Sequence, residues 1–127
     1  MGSKVRFRLR IYHDTVVAIG PGKVDLLEAI AETGSISAAA RAMKMSYRRA
    51  WMLVETMNDC FDQPLVSTIT GGRSGGGATL TEQGETVLNA YVEMQREVQH
   101  LASQHLHKLL KKAPLRSSSE TTSVNAS

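Results

Sequence analysis

The most informative stretch of the sequence covers residues 34–51, which read GSISAAARAMKMSYRRAW. Alanine dominates residues 38–42, and such small side chains allow a second helix to cross at close range. Ser46 follows a short break and is a preferred N-cap residue, because its hydroxyl can accept a hydrogen bond from a free amide of the first helical turn. The stretch therefore predicts two helices joined by a tight turn at Lys44, which is typical of a helix-turn-helix.

The second of these helices is the candidate recognition helix for DNA. In helix-turn-helix proteins the N-terminal end of this helix faces base edges and phosphates, and here it carries Tyr47, Arg48 and Arg49. Helical spacing places the apolar residues on one side of this helix, and they are Ala50, Leu53, Val54, Met57 and Phe61. The opposite side carries Arg48, Trp51, Met52 and Glu55. For Trp51 the sequence leaves two interpretations open, which are packing against a neighbouring helix and contact with DNA.

A wing is predicted directly after the recognition helix. Gln63-Pro64 ends that helix, residues 65–70 favour a strand because β-branched residues dominate them, and a second short strand covers residues 78–80. The loop between the strands is rich in glycine, which lets a backbone approach a phosphate closely, and it contains Arg73 and Ser74. The spacing excludes a nucleotide-binding P-loop. A flexible hairpin tip without DNA contact stays the alternative.

The N-terminal residues predict a β-hairpin followed by a helix. Apolar residues alternate with Arg6, Arg8 and Arg10 over residues 5–11, His13-Asp14 supplies a turn, and a second strand covers residues 15–19. The three arginines share one exposed face, which is either a solvated sheet edge or a contact surface for DNA or a partner. The following helix begins near Pro21 and ends at Gly34, with its apolar stripe at these positions: Val24, Leu27, Ile30 and Ala31.

The last predicted helix extends from Thr81 to about Lys112 and carries a seam for another helix. Its apolar residues recur at alternating steps of four and three, and they are Val87, Tyr91, Met94, Val98 and Leu101. A helix of about thirty residues is ~45 Å long, which is more than one small domain covers. We therefore expect a homodimer, with packing inside one subunit as the alternative. Residues 113–127 are rich in Ser and Thr and predict a disordered tail.

Composition and charge limit the classes of function. The 127 residues are 42% hydrophobic and suit one domain, which we place at residues 4–112. Residues 35–57 contain four cationic side chains and one carboxylate, whereas residues 14–34 contain four carboxylates and one lysine, so the charge distribution favours a polyanion such as double-stranded DNA. We predict no metal, no cofactor and no catalytic site, because the histidines of the last helix are too widely spaced or point apart. With one cysteine and no predicted membrane span, we expect a cytoplasmic protein.

Three motifs in this order resemble those of a known family. They are Gly34-Ser35-Ile36-Ser37-x-Ala39-Ala40, then Ser46-Tyr47-Arg48-x-Ala50-Trp51, then Gly71-Gly72-x-x-Gly75-Gly76-Gly77-Ala78-x-Leu80-Thr81-x-x-Gly84. The chain resembles, over residues 4–110, the N-terminal winged-helix domain of the molybdate-responsive transcription regulator family (ModE), which is itself similar to the LysR-type DNA-binding domain. The resemblance implies a bacterial or archaeal transcription factor that dimerises through its first and last helices and binds a palindromic operator.

The resemblance also implies which residues contact DNA and which function to expect. The family's contacts fall on Ser35, Ser37, Ser46, Tyr47, Arg48, Arg49, Arg73 and Ser74. Full-length family members carry C-terminal oxyanion-binding domains, whereas this sequence ends in the short Ser/Thr tail, so we expect no molybdate sensing by these residues. The expected fold is mainly α with small β elements: a winged helix-turn-helix with an N-terminal β-hairpin and a long C-terminal dimerisation helix.

Two other functions compete with that of a dimeric, sequence-specific regulator without its own sensor domain. The first is a dimeric protein-interaction adaptor that uses the winged-helix fold, for which an apolar patch at the start of the recognition helix would be expected. The second is an oxyanion-binding or catalytic subunit that uses the glycine-rich loop.

Overall fold

The computed structural model describes residues 3–69 and 77–117. Within them lie β1 (Ile11–His13), β2 (Val16–Ile19), α1 (Pro21–Thr33), α2 (Ile36–Ala42), α3 (Tyr47–Cys60), β3 (Val66–Ile69), β4 (Gly77–Leu80) and α4 (Glu82–Lys112). The strands pair as two antiparallel hairpins, β1 with β2 and β3 with β4. The predicted mainly α winged helix-turn-helix fold is thereby confirmed. Arg73, Ser74 and residues 118–127 of the predicted tail lie outside the described residues.

The chain divides into two compact units. Residues 8–95 form the first, which contains both hairpins, α1 to α3 and the beginning of α4. The second unit includes residues 3–7 and the described part of the chain from Arg96 onward. The assignment of residues 4–112 to one domain stays a prediction.

The core of the first unit is built from one side of each helix and from the inner residues of the hairpins. Its fully buried members, at 0% exposure, are Ile19, Leu26, Leu27, Ile30, Ala39, Ala50, Met57 and Leu65. In α1 the predicted stripe was wrong at one position, because Ala31 is exposed while Leu26 is buried. Helix α1 packs against α2, α3, β2 and β4, and these neighbours together cover a wider arc of the helix than one narrow stripe.

The first hairpin is shorter than the sequence predicts. Residues 5–10 show the expected alternation of half-buried and exposed side chains, yet β1 begins only at Ile11, so the predicted strand over residues 5–10 was wrong. Side chains of α4 donate hydrogen bonds to two backbone carbonyls of this segment. In a strand, such carbonyls would accept instead from backbone amides of a neighbouring strand. The Tyr91 hydroxyl donates to the Leu9 carbonyl at 2.7 Å, and the Gln99 side-chain amide donates to the Val5 carbonyl at 3.0 Å.

The beginning of α4 is fixed by a close approach to the loop before β3. The Thr81 hydroxyl accepts from the Gly84 amide at 2.9 Å and donates to the Pro64 carbonyl at 2.7 Å, so Thr81 caps α4 as predicted. Gly84 is buried, and a Cβ at this position would overlap the Leu65 carbonyl oxygen. Glycine is therefore required here for space.

Candidate nucleic-acid interface

Helices α2 and α3 cross where their side chains are smallest. Ala39, Ala40 and Ala50 are almost completely buried, as the alanine-rich sequence predicts for a close crossing. The turn between the helices places Lys44 in the left-handed region with φ 58°, and the Met45 amide donates back to the Ala40 carbonyl at 3.0 Å. A residue with a Cβ pays about 1 kcal/mol for this conformation. The tight turn of the helix-turn-helix is therefore present, although its sequence lacks glycine.

Two serines fix the first turns of α2 and α3. The Ser35 hydroxyl accepts from the Ala38 amide at 3.0 Å and lies 3.1 Å from the Ser37 hydroxyl. The Ser46 hydroxyl accepts from the Arg49 amide at 3.1 Å, which confirms the predicted cap of α3. Both caps satisfy amides that would otherwise lack an intrahelical acceptor. Ser35 and Ser46 therefore fix the backbone at the helix ends, and Ser37 is exposed beside Ser35.

The start of α3 presents polar and aromatic groups to solvent. Tyr47 is 53% exposed, and Arg48 and Arg49 are exposed beside it. On the opposite side of the helix, Val54 and Met57 are buried in the core along with Ala50. Because its apolar side is held by the core, the helix displays its cationic N-terminal end outward in a fixed orientation.

Trp51 lies between these two sides of α3. It is half-buried, and its ring packs partly against the core. The Tyr47 ring meets the Trp51 ring edge to face, with centroids 6.3 Å apart and planes at 83°. Such a pair contributes roughly 0.5–1.5 kcal/mol beyond the burial of its area. Trp51 therefore packs within the chain and supports the exposed Tyr47 ring, while DNA contact by its uncovered part stays a prediction.

The second hairpin stands next to the start of α2. Strands β3 and β4 pair in register from Val66 opposite Leu80 to Ile69 opposite Gly77. The Ala78 amide donates to the Gly34 carbonyl at 2.9 Å, which connects β4 to the residue before the Ser35 cap. The strands of the predicted wing are thus present, and their connecting residues 70–76 fall outside the described part of the chain.

Asn58 joins the recognition helix to this hairpin, and the sequence alone did not identify it. Its side-chain oxygen accepts from the Leu65 amide at 2.8 Å and the Val66 amide at 3.2 Å, and its side-chain nitrogen donates to the Val66 carbonyl at 3.2 Å. An asparagine in the last turns of a helix that ends before a Pro is the only sequence signal for this role. Asn58 therefore positions the wing strands relative to α3.

The predicted seam residues of α4 differ in burial. Tyr91 is 2% exposed, and its hydroxyl is bonded to Leu9 within the first unit. Val87 is half-buried and packs against the core. Met94, Val98 and Leu101 are 40%, 38% and 55% exposed. The uncovered part of the seam therefore consists of these last three residues, and its role in dimerisation stays a prediction.

Neither a metal-binding cluster nor a membrane-spanning helix is found among the residues that the structure describes. They contain no group of three or more histidine, cysteine, aspartate or glutamate side chains arranged to hold a metal ion. None of the described helices combines the length and the hydropathy that a membrane span requires.

Comparison with known proteins identifies relatives of the helix-turn-helix. The protein ModE of Azotobacter vinelandii, a molybdenum transport protein, is 41% identical over 96 residues, which are 74% of this chain and 36% of the relative. The transcriptional regulator ModE of Haemophilus influenzae is 42% identical over 82 residues, which are 65% of this chain and 32% of the relative. The chain thus spans about a third of the length of the curated relatives it matches.

A solved structure shares the fold. Full-length LysG of Corynebacterium glutamicum with bound effector Arg superimposes with a TM-score of 0.53 at 26% identity, over 76% of this chain and 31% of that chain. The family described as bacterial regulatory helix-turn-helix protein, lysR family, matches residues 22–85, which run from the start of α1 into α4. The chain therefore belongs to the lysR family of bacterial regulatory helix-turn-helix proteins.

Proposed function

We propose that this protein is a transcription regulator that binds a palindromic operator as a homodimer and reads each half-site with α3 in the major groove. The observation that carries the proposal is the start of α3, where Tyr47, Arg48 and Arg49 are exposed while the opposite side of the helix is buried in the core. A recognition helix needs this combination, because a fixed backbone must present donors to base edges.

The residues at this end divide into readers and supports. Arg48 and Arg49 carry the charges that suit guanine edges and phosphates, and the Tyr47 ring supplies a rigid apolar surface next to them. Ser35 and Ser46 act chiefly through their caps, which leave the remaining amides of the first turns of α2 and α3 for backbone phosphates. Ser37, Trp51, Arg73 and Ser74 complete the proposed contact set.

The dimer is proposed to form through the exposed part of the α4 seam. Met94, Val98 and Leu101 recur at helical spacing and leave a substantial fraction of their side chains in water. Covering these side chains with the same surface of a second copy removes apolar area from water, which favours a two-fold symmetric assembly. A two-fold dimer whose recognition helices lie about 34–36 Å apart fits two half-sites one duplex turn apart.

The proposal has further elements, which membership of the family supports. The protein acts in the cytoplasm, where its DNA lies, and it performs no enzymatic reaction. Residues 1–127 supply the DNA-binding function, and we assign them no molybdate-sensing role. The relatives' names connect them with molybdenum, and they share with this chain only about a third of their length.

Selection of binding sites from random duplex DNA tests the proposal. We expect the protein to enrich a palindrome whose half-sites are centred about one duplex turn apart. Arg48→Ala should lose that enrichment while retaining the wild-type melting temperature, because Arg48 is exposed. Failure of the folded wild-type protein to enrich any sequence would contradict the proposal and would favour a protein-interaction adaptor.

A further inference from the structure

A cavity of about 270 Å³ lies within the first unit, beside the recognition helix. Four segments line it: the N-terminal extended segment through Arg8 and Arg10, β2 through Val17, the start of α1 with the preceding Gly20, and the turn and α3 through Met45, Arg49 and Leu53. Cavities that hold drug-sized ligands measure about 300–1,000 Å³. This cavity is therefore suited to a smaller chemical group.

The charged side chains that line the cavity are all cationic. Arg8, Arg10, Lys23 and Arg49 belong to its lining, which contains no carboxylate. Burial lowers the pKa of the Lys23 ammonium below its usual value, Cys60 opposes this change, and the Arg49 charge adds to it. Lys23 and Arg49 therefore repel each other, and an anion placed between them would relieve that repulsion.

The aliphatic stem of one cavity arginine, Arg10, lies close to Gly20. The aliphatic Cγ of Arg10 lies only 3.3 Å from where a Cβ on Gly20 would be, so the absence of a side chain at Gly20 leaves room for the Arg10 stem. Met45 and Leu53 add apolar surface to the cavity wall. The stem of Arg10 thus lies beside Gly20, and its guanidinium belongs to the exposed lining of the cavity.

We propose that this cavity binds one phosphoryl group, held by Arg8, Arg10, Lys23 and Arg49. Guanidinium groups donate paired hydrogen bonds to phosphate oxygens, and a lysine ammonium adds a point charge, so the four side chains match a tetrahedral oxyanion that carries charge on several oxygens. The start of α1 contributes a smaller favourable field from the helix dipole.

The phosphoryl group has two sources, DNA and free phosphate, and the position of the cavity favours DNA. Arg49 belongs both to the cavity and to the exposed start of α3, so a cavity phosphate would lie in the backbone beside the bases that α3 reads. Three of the four cationic side chains are exposed, and water competes strongly for exposed charges. A backbone phosphate avoids much of that competition, because the bound duplex holds it at a high local concentration. The assignment of the phosphoryl group to DNA rests on the proposed operator binding.

The first experiment measures the salt dependence of binding to the selected operator. Arg8→Gln/Arg10→Gln keeps most of each side-chain stem and removes both charges. We expect the slope of log K against log salt to fall by about one for each lost phosphate contact, with affinity falling equally on operator and random DNA. Arg6→Gln is the matched control, since Arg6 belongs to the same alternating segment and does not line the cavity. Its slope should equal that of the wild type.

A second experiment locates the phosphate on the DNA. Single methylphosphonate linkages, which carry no charge, are placed one at a time along the operator. We expect one position in each half-site to weaken wild-type binding and to have no further effect on Arg8→Gln/Arg10→Gln, because the two changes remove the same interaction. Additive losses at every position would overturn DNA as the source.

A third experiment needs no DNA and therefore separates the cavity from the operator. Inorganic phosphate is titrated at constant ionic strength while the amide resonances of Gly22 and Lys23 are recorded. Saturable shifts that Lys23→Gln abolishes and Arg6→Gln retains would support the site even if no operator were found. Unchanged salt slopes in Arg8→Gln/Arg10→Gln together with no phosphate-dependent shift would overturn the inference and leave the proposed regulator function intact.

Discussion

Helices α3 and α4 are both amphipathic, and they differ in what covers their apolar sides. The apolar side of α3 is covered by its own chain, with Ala50, Val54 and Met57 all buried. Only Gly84 and Tyr91 are buried among the 31 residues of α4, and several of its apolar side chains are exposed. The same helical periodicity thus has two consequences: α3 is oriented by the core to display its polar end, whereas α4 displays an apolar surface that favours a second helix.

We expect the largest effect, a loss of folding stability, at the start of α4, which packs against its own chain. Gly84→Ala would place a Cβ on the Leu65 carbonyl oxygen, so the helix start or the loop before β3 must shift. We expect a loss of about 3 kcal/mol in the free energy of unfolding, measured by urea denaturation.

Gly22→Ala is the control, because a Cβ there meets no atom within 4 Å. A helical Gly→Ala change without a clash should be neutral or stabilise by about 0.5–1 kcal/mol. Equal stability of the two variants would contradict the packed start of α4.

The second prediction concerns the exposed apolar part of α4. Met94→Glu/Val98→Glu places charge on the apolar surface, which should dissociate the proposed dimer and weaken operator binding by about a hundredfold, since two linked half-site contacts become independent. Sedimentation measures the dissociation, and DNA titration measures the loss of operator affinity. Asn89→Glu/Ser103→Glu adds the same charge at exposed polar positions on other sides of the helix and should leave both unchanged. A wild-type monomer at micromolar concentration would contradict the role assigned to this surface.

The third effect concerns the displayed end of α3. If Arg48 contacts a base, Arg48→Ala should cost about 1–3 kcal/mol on the operator and less on random DNA. Arg41→Ala removes an exposed charge from the last turn of α2 and should affect both DNAs equally or not at all. Titration of each variant with both duplexes gives the comparison. Equal losses on both duplexes for Arg48→Ala would assign Arg48 to phosphate binding and move sequence reading to its neighbours on α3.

The parts of this molecule that the sequence predicts well are governed by local interactions. The Ser46 cap, the tight turn at Lys44 and the close crossing at Ala39 and Ala50 each depend on residues a few positions apart. The burial of Leu26 and the exposure of Ala31 depend instead on which distant elements surround α1. Alternation over residues 5–10 correctly predicted which side chains are half-buried, and it could not show that side chains of α4 bond to this segment.

In the candidate site, too, some residues are placed by their neighbours in the sequence and others by distant segments of the chain. Tyr47, Arg48 and Arg49 are adjacent, so their common position at the start of α3 follows from the cap alone. The cavity brings Arg8 and Arg10 to Lys23 and Arg49 from three separate segments, and no spacing in the sequence encodes that arrangement. Asn58 is similar, because its role comes from hydrogen bonds to the backbone amides of residues that follow it by seven and eight positions.

The smallest effect is expected from molybdate. Tight binding of a tetrahedral oxyanion requires several fixed donors that are shielded from water. The cations around the described cavity are exposed at Arg8, Arg10 and Arg49 and only half-buried at Lys23, so a free oxyanion should bind them weakly. The glycine-rich loop with Arg73 lies outside the described residues.

We therefore expect molybdate or tungstate at about 50 µM to leave the melting temperature and the operator affinity of these 127 residues unchanged, because a ligand that bound the folded protein well would stabilise it. Thermal denaturation with sulfate at the same concentration controls for ionic strength. Saturable micromolar binding of molybdate in calorimetry would contradict this prediction. Loss of that binding in Arg8→Gln/Arg10→Gln would then locate the oxyanion in the cavity beside α3, whereas its loss in Met94→Glu/Val98→Glu would locate it at the α4 surface, so the result would also show which of the two helices carries the sensor.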